Sequence, residues 1–309
     1  MSHRPAPNEW PAIPYEEWAA TKKTLHLYTQ IVGKVRLALS PPAPGWTAVP
    51  LQLTARGLST GPMPWGSASV EIGFDFLNHR IAVVASDGWS RLIPLTPARS
   101  VAEVYVEIMR ALDDLGVAVE IHPKPQEVPD TTPLDENDRD RTYDPAAIRR
   151  WFRALTATAN VFEEWRSGFF GASGAYFWWG AFDLSVVRHT GTRITPRPDA
   201  GYILRKDQES EHFSAGWWPG DDSFPEPILY AYAIPMPPGA ESAAIAPQAA
   251  AWNPDLGEWV LPYDDVRTSG NPRATILEFL DTAWHTVAAS ADWDLERFAF
   301  EPPGPSELE

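Results

Sequence analysis

Regular alternation of apolar and polar positions predicts an antiparallel meander in the first third of the chain. Apolar residues occupy every second position from Ser69 to Phe76, which is the period of a strand with one buried face. Asn78-His79 and Asp87-Gly88 are turn sequences, and each precedes another apolar stretch. We therefore predict strands over residues 48–54, 69–76, 81–85 and 89–95.

A period of 3.6 residues predicts four long helices. In the first of them His26, Gln30 and Lys34 are four residues apart, so they form one polar stripe on an otherwise apolar helix. Two later helices begin at recognisable capping residues, Ser100 and Asp144. The predicted helices cover residues 24–39, 100–115, 144–168 and 272–290.

Apolar runs predict the strands of the second half. The longest run, from Ala175 to Val187, is nearly continuous, so we expect one strand with both faces buried. Further strands are predicted over residues 118–122, 202–205, 212–217, 228–234 and 258–261.

These elements predict an α+β fold with two antiparallel β-sheets, each packed with long helices. Residues 1–123 form the first half, residues 143–309 form a second half packed on it, and the Pro-rich charged stretch 124–142 links them. Both halves contain Pro-x-x-x-x-Arg before a helix, at Pro94 to Arg99 and at Pro262 to Arg267. The repeated order favours an internal duplication, and coincidence is the alternative.

Composition narrows the classes of function. The chain of 309 residues has 25 Lys and Arg against 41 Asp and Glu, and its net charge of −16 argues against binding nucleic acid or anionic membranes. The absence of Cys excludes disulfides, thiolate nucleophiles and Cys-ligated metals. No apolar run is long enough to span a membrane, and the first residues lack the apolar core of a signal peptide. We therefore expect a cytoplasmic protein.

Common catalytic motifs do not occur in the sequence. It has no phosphate-binding loop, no G-x-G-x-x-G, no H-E-x-x-H and no G-x-S-x-G. No motif in the sequence therefore indicates a standard nucleotide-binding, zinc-protease or serine-hydrolase function. Candidate residues are instead identified as ionisable side chains in apolar surroundings.

Two groups of ionisable residues stand out against apolar surroundings. The stripe of His26, Gln30 and Lys34 is either the solvent edge of its helix or the wall of a cavity, where His exchanges protons and Lys holds an anion. Asp183 follows the apolar run Phe177 to Phe182, so it forms a structural ion pair or serves as a pocket carboxylate.

A further group of candidates lies between residues 211 and 218. Glu211 and His212 have the chemistry to bind a metal or to move protons, and an exposed edge strand is the alternative. Trp217 and Trp218 are adjacent in a predicted strand and face opposite sides. One of them is then core, and the other is a platform for a ligand ring.

Several stretches spread over almost the whole chain carry a family resemblance. Among them are Thr24-Leu25-His26 with Gln30-Ile31-Val32-Gly33-Lys34, Trp179-Gly180 with Phe182-Asp183-Leu184, and Ser214-Ala215-Gly216 with Trp218-Pro219-Gly220. On these residues the chain resembles an uncharacterised bacterial family described only as a domain of unknown function. The resemblance implies one full-length unit and no particular activity.

The family pattern commonly has His where this chain has Tyr176 and Ser210, and Lys where it has Ala172, which argues against a catalytic metal here.

The leading functional hypothesis is a non-catalytic protein that binds a small molecule or a partner. Its pocket is expected between the halves, and the acidic composition favours a neutral or cationic ligand. The residues predicted to line it are His26, Gln30, Lys34, Trp179, Asp183, Glu211, His212, Trp217 and Trp218. The sequence leaves the cofactor, the ligand and the oligomeric state open.

Two other classes of function stay open. A hydrolase, with or without a metal, would use Glu211 or Asp183 as general base and His212 or His26 as acid. A structural partner in a complex would instead present a large exposed apolar patch.

Overall fold

The computed structural model describes residues 10–196, 198–199, 205–206 and 208–300. In this part of the chain the four predicted long helices are present, and the first begins five residues earlier than the sequence predicts. The helices are α1 (Ala19–Leu39), α2 (Val101–Asp114), α3 (Pro145–Arg166), α4 (Tyr263–Thr268), α5 (Pro272–Ser290) and α6 (Leu295–Phe298).

Local capping explains where the helices start. The Ser100 side chain accepts a hydrogen bond from the backbone N–H of Glu103, and the Glu103 carboxylate accepts one from the N–H of Ser100. The Asp144 carboxylate accepts from the N–H of Ala146 at 2.8 Å, and Pro145 occupies the first position of α3.

Within the described residues, twelve strands form one sheet in which every strand pair is antiparallel. The spatial order is β11-β12-β10-β9-β8-β7-β1-β2-β4-β5-β6, and β3 pairs with β4 beside this path. The strands are β1 (Leu51–Thr54), β2 (Gly57–Ser59), β3 (Met63–Trp65), β4 (Ala68–Asp75), β5 (Arg80–Ala85), β6 (Ser90–Pro94), β7 (Tyr176–Trp178), β8 (Asp183–Arg193), β9 (Ser210–Trp218), β10 (Ile228–Ile234), β11 (Ala251–Asn253) and β12 (Glu258–Pro262).

The prediction of two separate sheets is wrong. Leu51 and Gln52 of β1 pair with Phe177 and Tyr176 of β7, and this short antiparallel contact joins the two meanders edge to edge. Each meander would otherwise leave an unpaired edge strand at this point, and pairing satisfies those backbone groups. The mixed α/β composition and the antiparallel pairing follow the prediction.

The two sides of this seam are built in the same order. On each side a long helix precedes the meander, the first strand of the meander lies at the seam, and another long helix follows. This arrangement agrees with the repeat read from the sequence, while the duplication itself stays a prediction.

Two predicted strands differ from the structure, and a third cannot be compared. The run 175–187 is broken by a turn at Trp179–Phe182, in which Phe182 adopts a φ of 64° and its N–H donates to the Trp178 carbonyl. No strand forms over 118–122. Of the strand predicted at 202–205, residues 202–204 lie outside the described residues.

The stretch between α2 and α3 has no helix or strand, because its prolines lack the N–H that either would need. It nevertheless packs against the fold. Leu134 and Asn137 are buried, and the Asn137 carbonyl accepts from the N–H of Ala102 at 3.1 Å.

A single buried apolar core lies between the sheet and the helices. The four long helices are side by side in the order α2, α1, α3, α5, and each touches strands of the sheet. This arrangement places the start of α1 near the turn after β9, where the candidate site lies.

Candidate functional site

A pocket of about 750 Å³ opens between the first turns of α1, residues 127–130 and the turn that follows β9. We call it the Lys22 pocket. The residues that line it are Tyr15, Ala19, Ala20, Lys22, Lys23, His26, Leu27, Glu127, Val128, Pro129, Asp130, Ala181, Trp218, Asp221, Asp222 and Ser223.

Lys22 is the most unusual residue of this pocket. Only 5% of its surface is exposed, and its ammonium group lies 5.5–6.0 Å from the ring centroids of Phe182, Tyr15 and Trp218. Among the described residues the Lys22 ammonium has no hydrogen-bond acceptor and no ion-pair partner, while the backbone N–H of Lys22 donates to the Trp18 carbonyl at 2.7 Å. Burial lowers the pKa of Lys22 to about 8, and the charges of Asp221 and Asp222 offset only part of this effect.

The two nearest carboxylates are already engaged with other donors. Asp221 accepts hydrogen bonds from the N–H groups of Ser223 at 2.8 Å and Phe224 at 3.0 Å. Asp222 accepts from the Tyr15 hydroxyl at 2.8 Å. These bonds hold the turn after β9 in place, and neither carboxylate lies within ion-pair distance of the Lys22 ammonium.

Lys23 follows directly in the sequence but has a different environment. Its ammonium lies 3.2 Å from an Asp140 carboxylate oxygen and 3.6 Å from one of Asp130. Its side chain is about half exposed. Of these two adjacent lysines, therefore, Lys23 is paired at the rim of the pocket, and the Lys22 ammonium has no partner within the described part of the chain.

His26 lies one helical turn after Lys22 and lines the same pocket. Its Nε2 is 2.8 Å from the Gly180 carbonyl and 3.1 Å from the Trp179 carbonyl, so Nε2 carries the proton and donates it. Nδ1 then carries a lone pair. Burial, followed by the charge of Lys22, lowers the pKa of His26 to about 3, so the imidazole is neutral.

Gln30 fixes the segment that forms the opposite wall. Its side-chain amide donates to the Gln126 carbonyl at 2.7 Å, and its carbonyl oxygen accepts from the Gln126 N–H at 2.8 Å. This pair of bonds holds the start of the 127–130 wall against α1. Gln30 thus shapes the pocket from behind and is not among the residues that line it.

A smaller pocket of about 300 Å³ lies on the other side of Trp218. The Tyr230 hydroxyl there donates a short hydrogen bond to the Asp183 carboxylate. Burial, together with the negative charge of Asp183, raises the pKa of Glu258 to about 8, so Glu258 is mostly protonated at neutral pH. The lining residues are Ala181, Asp183, Trp218, Tyr230, Tyr232, Leu256 and Glu258.

Three other residues predicted for the pocket are packed elsewhere in the interior. The Trp179 ring lies against Gly33, and its Nε1 donates to the Val49 carbonyl at 3.0 Å. The Lys34 ammonium is 5.9 Å from that ring. Trp217 is fully buried against Tyr263. None of the three lines either pocket.

Glu211 and His212 lie at the far end of β9 from Trp218. The Thr190 hydroxyl donates to the Glu211 carboxylate at 2.7 Å, and His212 Nδ1 donates to the Ser210 carbonyl at 2.8 Å. The ring of His212 is 5.6 Å from that of His189. Glu211 and His212 are therefore bonded to other groups and not to each other.

The structure thus brings His26 and Trp218 together in the Lys22 pocket, and Asp183 and Trp218 in the smaller one.

Two pocket residues, Lys22 and Glu258, were not among the candidates predicted from the sequence. Lys22 had a readable signal, because it precedes His26 by four residues and extends the polar stripe by one turn. Glu258 had none, because nothing in the local sequence distinguishes it from an exposed strand residue.

The close approach of Trp179 to Gly33 gives a testable prediction. A Cβ added at Gly33 would lie 2.2 Å from the Trp179 ring, so we expect Gly33→Ala to lower the free energy of unfolding by at least about 1 kcal/mol. Gly168→Ala is the matched control, because a Cβ there would meet nothing within 4 Å. Urea unfolding measures both, and equal stability of the two variants would contradict the packing described.

Two searches of the described residues address metals and membranes. They contain no group of three or more His, Cys, Asp or Glu placed to hold a metal ion. Across the same residues, no helix has both the length and the apolar character needed to cross a bilayer.

Comparison with known proteins gives a family and no activity. Neither curated proteins nor solved structures yielded a match. One family model does match, the family of unknown function DUF5996, and it covers residues 10–300. The match extends over the sheet, the long helices and both pockets, and the chain therefore belongs to the DUF5996 family.

Proposed function

We propose that this protein binds a small neutral molecule in the Lys22 pocket, and that the molecule has a carbonyl oxygen and an apolar body. The observation that carries the proposal is the Lys22 side chain, which is only 5% exposed and lines the pocket, and whose ammonium has no hydrogen-bond acceptor among the described residues. Burial of the side chain removes part of the hydration of this charge, and a ligand oxygen in the pocket would supply a hydrogen bond to it.

The charge of the pocket favours a neutral ligand over an anion. Four carboxylates and two lysines line it, and His26 is neutral, so the lining has a net charge of 2 − 4 = −2. A carboxylate ligand would gain from Lys22 but would be repelled by the acidic groups around it. A carbonyl oxygen accepts the same hydrogen bond without that repulsion.

The aromatic wall favours a flat or apolar ligand body. Trp218 lines the pocket and donates its indole N–H to the Ala181 carbonyl at 3.2 Å, which fixes the plane of the ring. Leu27, Val128 and Pro129 add apolar surface. Although many lining residues carry polar groups, most of the exposed pocket wall is apolar, as is typical of ligand pockets.

The remaining expectations from the sequence are part of the proposal. We propose that the pocket lies between the halves 1–123 and 143–309, since its walls come from α1, from the linking stretch and from the turn after β9. We also propose that the protein works in the cytoplasm and that it does not bind nucleic acid. The net charge of −16 supports the second of these proposals.

Binding of benzamide, compared with benzoate, tests this function. Benzamide has a neutral carbonyl and an aromatic ring, and benzoate differs from it by its negative charge. We expect benzamide to bind the wild type more tightly than benzoate does, and Lys22→Met to weaken benzamide binding by roughly tenfold, since a hydrogen bond to a charged donor is lost.

Lys34→Met is the matched control for that experiment. Lys34 is on the same helix and is buried to the same degree, but it lines neither pocket. We expect this variant to bind benzamide as the wild type does. Tighter binding of benzoate, or equal benzamide affinity in the wild type and Lys22→Met, would contradict the proposed function.

A further inference from the structure

We propose that Lys22 is a nucleophile that forms an imine with an aldehyde or ketone bound in the Lys22 pocket. This inference rests on the proposed function and adds a covalent step to it. It names the ligand class more narrowly, because amides and esters accept a hydrogen bond but do not form imines with amines under ordinary conditions.

The surroundings of Lys22 suit a reactive amine better than a permanent cation. A lysine that serves to hold charge is normally paired, as Lys23 is with Asp140 at 3.2 Å. Lys22 instead lies among the rings of Tyr15, Phe182 and Trp218, with both nearby carboxylates bonded to other donors. A desolvated amine of this kind is a recognised form of activated nucleophile.

Its state of protonation agrees with this geometry. The pKa of Lys22 is lowered to about 8 by burial, against an ordinary value of 10.5. At neutral pH the neutral amine is then roughly two orders of magnitude more abundant than at an exposed lysine. The neutral amine is the form that attacks a carbonyl carbon.

His26 lies in the same pocket as Lys22, but it is too weak a base to drive the proton transfers of this reaction. It lies one turn from Lys22 in the same pocket, and its Nε2–H is committed to the carbonyls of Trp179 and Gly180. The Nδ1 lone pair has no hydrogen-bond partner among the described residues. Because burial lowers the pKa of His26 to about 3, Nδ1 can accept a hydrogen bond but holds a proton poorly, so the proton passes between nitrogen and oxygen directly or through solvent.

The reaction balances without a redox partner. Lys22 Nζ forms a bond to the carbonyl carbon, the carbonyl π electrons move to oxygen, and one proton passes from nitrogen to that oxygen. The resulting carbinolamine then loses its hydroxyl group as water, with the second proton taken from nitrogen, and a C=N bond remains. One amine and one carbonyl compound thus give one imine and one water.

Reductive trapping tests the proposal on the full-length wild type. The protein is incubated with benzaldehyde and sodium cyanoborohydride near pH 8, which reduces an imine to a stable benzyl amine, and peptide mapping then locates the benzyl group. The chain has only five lysines, Lys22, Lys23, Lys34, Lys124 and Lys206, so each can be followed. We expect Lys22 to be labelled roughly tenfold faster than any other, because it combines a neutral amine with a pocket.

Lys34 is an internal control within the same map. It is buried like Lys22 and burial also lowers its pKa, but it lines neither pocket. Labelling of Lys34 as fast as Lys22 would mean that burial alone explains the reactivity, and it would overturn the inference.

The outcomes separate this inference from the proposed function. Labelling confined to Lys22, with benzamide binding, supports both. Benzamide binding without preferential labelling of Lys22 leaves the proposed function standing and overturns the imine. Labelling of Lys22 that excess benzamide fails to slow would place the reaction outside the ligand site and overturn the inference as well. Because the map uses wild-type protein, none of these results depends on a variant that folds.

Discussion

Replacing Lys22 by methionine should make the folded protein more stable at neutral pH. Methionine keeps the apolar stem of the side chain and removes a charge that burial disfavours. The pKa of Lys22 falls from 10.5 to about 8 on folding, which corresponds to a cost of about 3 kcal/mol for the charged form. The contacts of the ammonium with the three rings, at 5.5–6.0 Å, offset less than about 1 kcal/mol of this cost. We therefore expect Lys22→Met to raise the free energy of unfolding by about 2 kcal/mol.

The pH dependence of this effect has a definite sign. Below about pH 8 Lys22 is charged in both states, and the folded protein bears the full cost of the buried charge. Between about pH 8 and 10.5 the unfolded chain binds more protons than the folded one, so stability rises with pH. The Lys22→Met variant lacks this rise, and its advantage over the wild type should shrink across that window.

Urea unfolding near pH 7 and near pH 10 measures both features. Lys23→Met is the control, because Lys23 is half exposed and paired, and we expect it to change stability by less than about 1 kcal/mol. A loss of stability in Lys22→Met near pH 7 would show that the lysine has a stabilising partner within the fold.

Replacing Glu258 by glutamine should stabilise the protein at alkaline pH and leave it nearly unchanged in acid. The carboxyl has its pKa raised from 4.5 to about 8 by burial and by the charge of Asp183. The folded state therefore binds one more proton than the unfolded state between these values, and stability falls as pH rises through that window. Because Glu258 is partly exposed, solvent screening reduces the effect of this pKa shift. We therefore expect Glu258→Gln to raise the free energy of unfolding by about 3 kcal/mol at pH 9.

The measurement is the free energy of unfolding at about pH 5 and about pH 9 for the wild type and Glu258→Gln. Glu278→Gln, on the exposed face of α5, is the control and should follow the wild type at both values. Similar effects of Glu258→Gln in acid and in alkali would mean that the pKa of the Glu258 carboxyl is not raised. The Glu258 carboxyl in the smaller pocket would then be ionised at neutral pH.

Local sequence patterns predicted the elements well where one face of an element is buried. The alternation in β4 and the caps at Ser100 and Asp144 act within a few residues, so they can be read without knowing the fold. The turn at Trp179–Phe182 was missed because the apolar run continues through it and Gly180 alone marks a turn. A positive φ at Phe182 has no signal in the residue type.

The joining of the two meanders was not predictable from pattern alone. Pairing of β1 with β7 joins residues more than one hundred positions apart, and neither strand specifies which edge it will meet. The prediction of two sheets treated the strands of each half as a sheet of their own. Only the three-dimensional contact at Leu51 and Phe177 shows that they share one sheet.

The candidate site was predictable in part. His26 and Trp218 were singled out by a polar stripe and by a pair of adjacent tryptophans, and both line the Lys22 pocket. Lys22 and Lys23 are adjacent and chemically identical in the sequence. Which of them is buried depends on the 127–130 segment and on the turn after β9, which are remote in the chain. The spacing of Lys22 and His26 places Lys22 on the polar stripe, but it does not show that remote segments cover this stripe.

The state of the Lys22 amine tests the central claim most directly. NMR titration of protein with isotope-labelled lysine side chains would follow all five amines, and loss of one signal in Lys22→Met would assign it. We predict that this signal titrates near pH 8 in the free protein and shifts when benzamide is added. A Lys22 amine that titrates near its ordinary value of 10.5 and does not respond to benzamide would contradict the account.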